Sequence, residues 1–159
     1  MASRRTITLR SESGTAIVEL ALVLPLLMAI LLGIFDFTRA LNYWNDANQI
    51  AADGARFAAV NRNPGAPTET FQQWLRKQAE TPELYNGGGQ AAALRVCVSF
   101  QDTNANGVST DAGDAVKVEA RSRFALLPLV DAGVKVGLIG SATMRIEAKP
   151  TNLSAGCSP

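Results

Sequence analysis

The stretch from Ala16 to Phe35, AIVELALVLPLLMAILLGIF, constrains this chain more than any other. It holds one charge, Glu19, and one proline, Pro25. About 20 helical residues at roughly 1.5 Å each cover the roughly 30 Å of bilayer hydrocarbon, which predicts a membrane-spanning helix. Arg4, Arg5 and Arg10 precede it against Glu12, whereas Asp36 and Arg39 follow without a cluster of cations. Positive residues stay on the cytoplasmic side, so the expected topology has the N-terminus inside and everything after the span outside.

A cleavable signal peptide shares the order basic, apolar, small. Here, however, the apolar run is longer than a usual signal core, and Thr38-Arg39-Ala40 is a poor cleavage match. Helical periodicity also continues past that point. Phe37, Leu41, Trp44, Ala51, Ala55 and Ala58 recur at intervals built from three and four, opposite a stripe of Asn42, Asn45, Asp46, Gln49, Asp53 and Arg56. The pattern predicts one helix that leaves the membrane with an apolar face still to bury.

Composition narrows the function classes. The chain of 159 residues is 47% hydrophobic and 18% charged, with a formal net charge of +1. That balance points away from nucleic acid and from strongly charged substrates. Histidine is missing from the sequence, which removes the commonest general base and the commonest metal ligand. Acidic residues are scattered, Ser99 and Ser109 have no base partner in sequence, and there is no phosphate-binding loop, so an anchored enzyme has no support.

Gly14 is followed by Thr15-Ala16-Ile17-Val18-Glu19, a carboxylate five residues after a glycine at the mouth of an apolar helix. This resembles the type IV prepilin processing site, which implies a cut at Gly14–Thr15 by a membrane-embedded prepilin peptidase. A carboxylate at the edge of the hydrocarbon is costly unless neutralised or paired. The amine released on Thr15 offers a partner for the Glu19 of a neighbouring subunit; alternatively, Glu19 snorkels to the headgroups. Pro25 removes a backbone donor and loosens the helix, either as a hinge for filament packing or as an ordinary transmembrane proline. Gly33 is either a close-packing position or an unremarkable one.

The segment from Ser13 to Val60 resembles the TadE-like family. The features that carry the resemblance are the Gly14 and Glu19 head, the exit Gly33-Ile34-Phe35-Asp36-Phe37 with Arg39-Ala40, and the closing Ala51-Ala52-Asp53-Gly54-Ala55-Arg56-Phe57-Ala58-Ala59. Weaker likeness extends through Gly113–Val118, Phe124, Leu126-Leu127-Pro128-Leu129 and Ala142–Glu147, so most of the chain is covered and its N-terminal third is the specific part. The resemblance implies a minor pseudopilin of the tight-adherence (Flp) pilus system, with an assembly role rather than a catalytic one. It also implies the bacterial inner membrane as location, with membrane lipid, other pilins or pseudopilins, the assembly machinery and a prepilin peptidase as partners. A different class of reading is a monomeric anchored module that binds an extracytoplasmic ligand; processing separates the two.

The expected fold is α+β, with a long N-terminal transmembrane helix continuing into a small extracytoplasmic antiparallel-sheet domain of pilin-like architecture. The expected divisions are a leader at 1–14, a span at 15–36, an outer helix at 37–60 and a small domain at 61–159. Asn61–Pro67 stops the long helix. Thr68–Glu80 reads as a short helix capped by Thr68, with Phe71, Trp74, Leu75 and Gln78 on one face, and ended by Thr81-Pro82. Gly87-Gly88-Gly89 reads as a flexible joint, and Leu94–Phe100, Ala115–Leu126 and Ile139–Ala148 as strands. Outside the cytoplasm, Cys97 and Cys157 are expected to form a disulfide closing about 60 residues and contributing about 4 kcal/mol. Asp102, Asn104 and Asn106, followed by Gly107, resemble the opening of a calcium loop. Gly113 stands where the closing bidentate acid would be, and an ordinary Asn/Gly connection fits the same residues. Calcium is therefore a candidate ligand, and no other cofactor is expected.

Overall fold

The computed structural model describes residues 13–126 and 134–158. The leader residues Arg4, Arg5, Arg10 and Glu12, and the Leu127-Pro128-Leu129 run, lie outside the described residues. Helix α1 runs from Ser13 to Ala59, α2 from Phe71 to Lys77 and α3 from Pro82 to Asn86. Strands β1 (Arg95–Gln101), β2 (Ala115–Ala125), β3 (Lys135–Arg145) and β4 (Gly156–Cys157) form one antiparallel sheet in the order β3-β2-β1-β4. The class is α+β, as expected. The chain divides between Phe35 and Asp36 into two compact units.

In the first unit, every residue from Gly14 to Leu32 is exposed, although nearly all are apolar. This helix is long and apolar enough to cross a membrane. It runs through Pro25 unbroken.

The second unit owes its core to small residues. Ala47, Ala51, Gly54, Ala55 and Ala58 of α1 are all buried, beside Tyr43 and Ile50. They let the sheet approach closely. A Cβ on Gly140 of β3 would stand 2.4 Å from the backbone carbonyl of Ala47, and one on Gly54 would stand 2.8 Å from Leu75. The sheet presents Val96, Val98, Val116, Val118, Ala120 and Phe124 to this core. The buried stripe differs from the periodicity reading at its start. Phe37, Leu41 and Trp44 are exposed, whereas Tyr43 is buried on the Phe124 ring at 5.6 Å. The helix lies against Gly140 of β3 at Ala47 and against Phe124 of β2 at Tyr43, so the core-facing line passes through Tyr43 and Ala47. Asp46, expected on the wet stripe, is buried beneath the start of α3.

The helix ends as the turn cluster implies. Asn61 takes φ 52°, and the N–H groups of Asn61 and Arg62 donate to Ala58 and Phe57, satisfying two orphan carbonyls. The cap of α2 is Thr70 rather than Thr68. Its hydroxyl accepts from the Gln73 N–H at 3.3 Å while the Gln73 side chain accepts from the Thr70 N–H at 3.1 Å, a reciprocal pairing that Thr68 has no glutamine in place to make. Thr81-Pro82 does not end the region but begins α3, because proline at the first helical position gives up an N–H that would be unpaired anyway. The three glycines form a tight turn rather than a joint, with Gly88 and Ala91 exchanging backbone hydrogen bonds at 3.0 and 3.2 Å.

Strand β3 begins four residues before Ile139, pairing along the full length of β2 from Lys135 opposite Ala125 to Arg145 opposite Ala115. It stops before Ala148 because the N–H groups of Glu147 and Ala148 turn to the Ala59 carbonyl at the end of α1.

Candidate functional site

The head of α1 carries the residues singled out for processing. Gly14, Thr15 and Glu19 all lie on its first exposed turns. Thr15 and Glu19 are four residues apart, hence on one face and about 6 Å apart along the axis. Gly33 has open space where a Cβ would go.

The closing motif of the helix has a structural explanation. Gly54 lies under Leu75 of α2 and Val118 of β2, and Ala51, Ala55 and Ala58 continue the same buried line. Arg56 remains exposed and pairs with Asp53 at 3.6 Å. Two polar anchors that periodicity does not reveal hold this helix to the rest of its unit. Asp36 accepts from the Gln90 amide at 3.0 Å, and Asp46 accepts from the Glu80 N–H at 3.1 Å and from the Thr81 hydroxyl at 3.3 Å. Burial pushes the Asp46 carboxyl above its ordinary range, the hydrogen bonds from Thr81 and Glu80 opposing that rise.

Cys97 and Cys157 are joined by a disulfide across β1 and β4. Around it the tail is held by further bonds. The Ser158 N–H donates to the Val96 carbonyl at 2.7 Å, the Val96 N–H donates to the Ser158 hydroxyl at 3.0 Å, and the Gln72 amide donates to the Ser154 carbonyl at 2.8 Å.

Asp102, Asn104 and Asn106 do come together in one loop, where their side-chain oxygens accept from backbone N–H groups. Asp102 takes those of Asn104 and Gly107, Asn104 that of Asn106, and Asn106 that of Val108, at 2.8 to 3.2 Å. The backbone bond from Gly107 leads the effects that hold the Asp102 carboxyl below its usual range. Asp114 is fully buried and accepts from the Thr103 and Asp111 N–H groups. Among the described residues no group of three or more His, Cys, Asp or Glu stands where it could hold a metal ion.

On the outer face of the sheet, Lys117 and Arg121 both pair with Glu119 and hold its carboxyl below the usual range. On α2, Lys77 pairs with Glu69 at 2.7 Å, which raises the lysine.

A helix with an exposed apolar first part, long enough to cross a membrane, followed by a small disulfide-closed antiparallel unit, defines the class as an α+β protein with a candidate membrane anchor. Residues 14–56, most of α1, match the family model described as TadE-like protein, so this segment is similar to a TadE-like domain. Comparison with curated proteins and with solved structures gives no match.

Proposed function

We propose that this protein is a minor pseudopilin that serves assembly of the Tad (Flp-type) pilus. It is anchored in the bacterial inner membrane by residues 16–35, with the leader cytoplasmic and the disulfide-bonded unit outside. A prepilin peptidase cuts it between Gly14 and Thr15, and its partners are membrane lipid, other pilins or pseudopilins, and the assembly machinery. The observation that carries this reading is the coincidence of the TadE-like match with a fully exposed apolar helix headed by Gly14, Thr15 and Glu19. The exterior placement of the second unit agrees with its disulfide, because such bonds persist in oxidising compartments.

The test is the intact mass of protein purified from its own membrane, alongside two variants. Gly14→Val is expected to leave a precursor heavier by the leader and to block piliation. Glu19→Ala leaves the scissile bond alone, and we expect cleaved, inserted protein that fails to support piliation. Wild-type protein retaining Met1–Gly14 while piliation proceeds would refute the processing. Normal piliation by Glu19→Ala would reduce the carboxylate to a snorkelling passenger.

A further inference from the structure

The three long strands keep all their charges on one face. The register aligns Arg95 of β1 with Arg121 of β2 and Ile139 of β3, so this outer face carries Arg95, Lys117, Arg121, Arg123, Lys135 and Arg145 against one carboxylate, Glu119. A wet protein surface ordinarily mixes both signs. Moreover, Arg95 directly opposite Arg121 is a like-charge pair, which weakens a sheet. Glu119 is already engaged by Lys117 and Arg121, and among the described residues Arg95 and Arg123 have no ion pair. The face is therefore an unneutralised cationic surface within a chain of net charge +1.

A second feature coincides with it. At the Asp36 end of this unit, Phe37, Trp44 and Ile139 are 61%, 45% and 53% exposed, and Leu41, Val134 and Val136 are exposed as well. The Trp44 indole donates to the Ile139 carbonyl at 3.2 Å, which ties the helix side of the patch to β3. The Ile139 side chain in turn shares one open groove, about 540 Å³ in volume, with Arg95, Arg121 and Arg123. The ring contact of Tyr43 with Phe124 and the bond of Gln90 to Asp36 fix Arg121, Arg123 and Lys135 at the level of the first turns of the unit's helix.

Cations beside a tryptophan and aliphatic side chains match a membrane–water interface, where an indole sits at headgroup depth and Lys and Arg meet anionic lipid. We propose that the Asp36 end of the sheet face is a docking surface for an anionic phospholipid bilayer, with Arg95, Arg121, Arg123 and Lys135 meeting headgroups and Trp44 and Ile139 entering the interface. The inference rests on the reading of residues 16–35 as a membrane span, because that span ends one residue before this unit begins. A second copy of the chain fits less well. On its helices Asp53 and Glu83 are already paired with Arg56 and Arg39, and Glu69 just before α2 with Lys77, so few carboxylates there are free to meet the cations.

The test uses the full chain reconstituted in nanodiscs of phosphatidylcholine alone or with roughly a third phosphatidylglycerol. Modification by an arginine-selective dicarbonyl is followed residue by residue with mass spectrometry. Arg121 and Arg123 are expected to react about fivefold more slowly in the anionic discs, with the difference erased by high salt and Arg62 unaffected throughout. Equal rates in the two lipids overturn the proposal. Slow rates in both lipids that rise when copies per disc are reduced overturn it in favour of contact between copies. Release of the chain from discs by alkaline carbonate would instead overturn the membrane span, whereas anchored protein with open arginines overturns the docking alone.

Discussion

Asp46 separates what a sequence can disclose at the scale of one residue from what it cannot. Its position in the polar stripe predicted exposure, yet α3 begins over it, and its carboxylate receives the Glu80 N–H and the Thr81 hydroxyl. Periodicity along α1 carries no information about a segment 35 residues away, so nothing local could have placed it there. Because burial raises its folded carboxyl above the ordinary carboxylate value, the folded state holds the Asp46 proton more tightly than the unfolded chain does. Stability from this group is thus greatest below the unfolded value and declines as pH rises through the folded one. Asp46→Asn keeps an acceptor oxygen and removes the charge, so its melting temperature at neutral pH is expected to equal or exceed that of wild type. That advantage should shrink as the buffer is acidified below the ordinary carboxylate range; melting curves of both proteins across pH 3 to 8 check it. The spacing of Gly14 and Glu19, by contrast, belongs to the chain itself and needs no partner, so the processing proposed from it is decided by the mass of the mature chain and not by the fold.

At the scale of elements, the long helix, the disulfide partners and the alternation of β2 were plain in the sequence. The boundaries that moved were those set by pairing. Lys135–Leu138 looks unlike a strand, with Gly137 in its middle, but the matching length of β2 recruits it. Gly140 shows the same limit more sharply, since nothing in the strand read over Ile139–Ala148 marks it as the point where β3 meets the α1 backbone. Gly140→Ala is expected to destabilise the protein by about 1–3 kcal/mol, because the added methyl meets main chain that cannot rotate aside. Gly137→Ala, three residues away in open space, should be neutral or mildly stabilising. Chemical denaturation of both variants in one detergent makes the comparison, and equal losses would refute the close approach.

Over the whole molecule, the net charge of +1 conceals a sorting of charges that becomes visible only when three strands are aligned. Composition could not disclose it, since strands far apart in sequence contribute to one face. The C-terminal tail is likewise a product of assembly, crossing from Asn61 at the end of α1, past Gln72 of α2, to β1. Cys157→Ser is expected to lower stability by up to about 4 kcal/mol while leaving the fold in place, since the Ser158–Val96 bonds and the burial of Leu153 remain. Hydrogen exchange should quicken first in residues 150–158; exchange unchanged there would mean that the covalent link adds nothing to the bonds around it. The seating of α1 on β3 has a mechanical consequence. Ala47 lies on Gly140 and Ala59 receives Glu147, so helix and strand advance in the same direction. Tension entering at Asp36 along the helix axis then loads this interface in shear, with the Ala47–Gly140 contact and the Ala59 hydrogen bonds resisting together. A pull across the axis would part them one after another, so the unit is built to bear load along its tether.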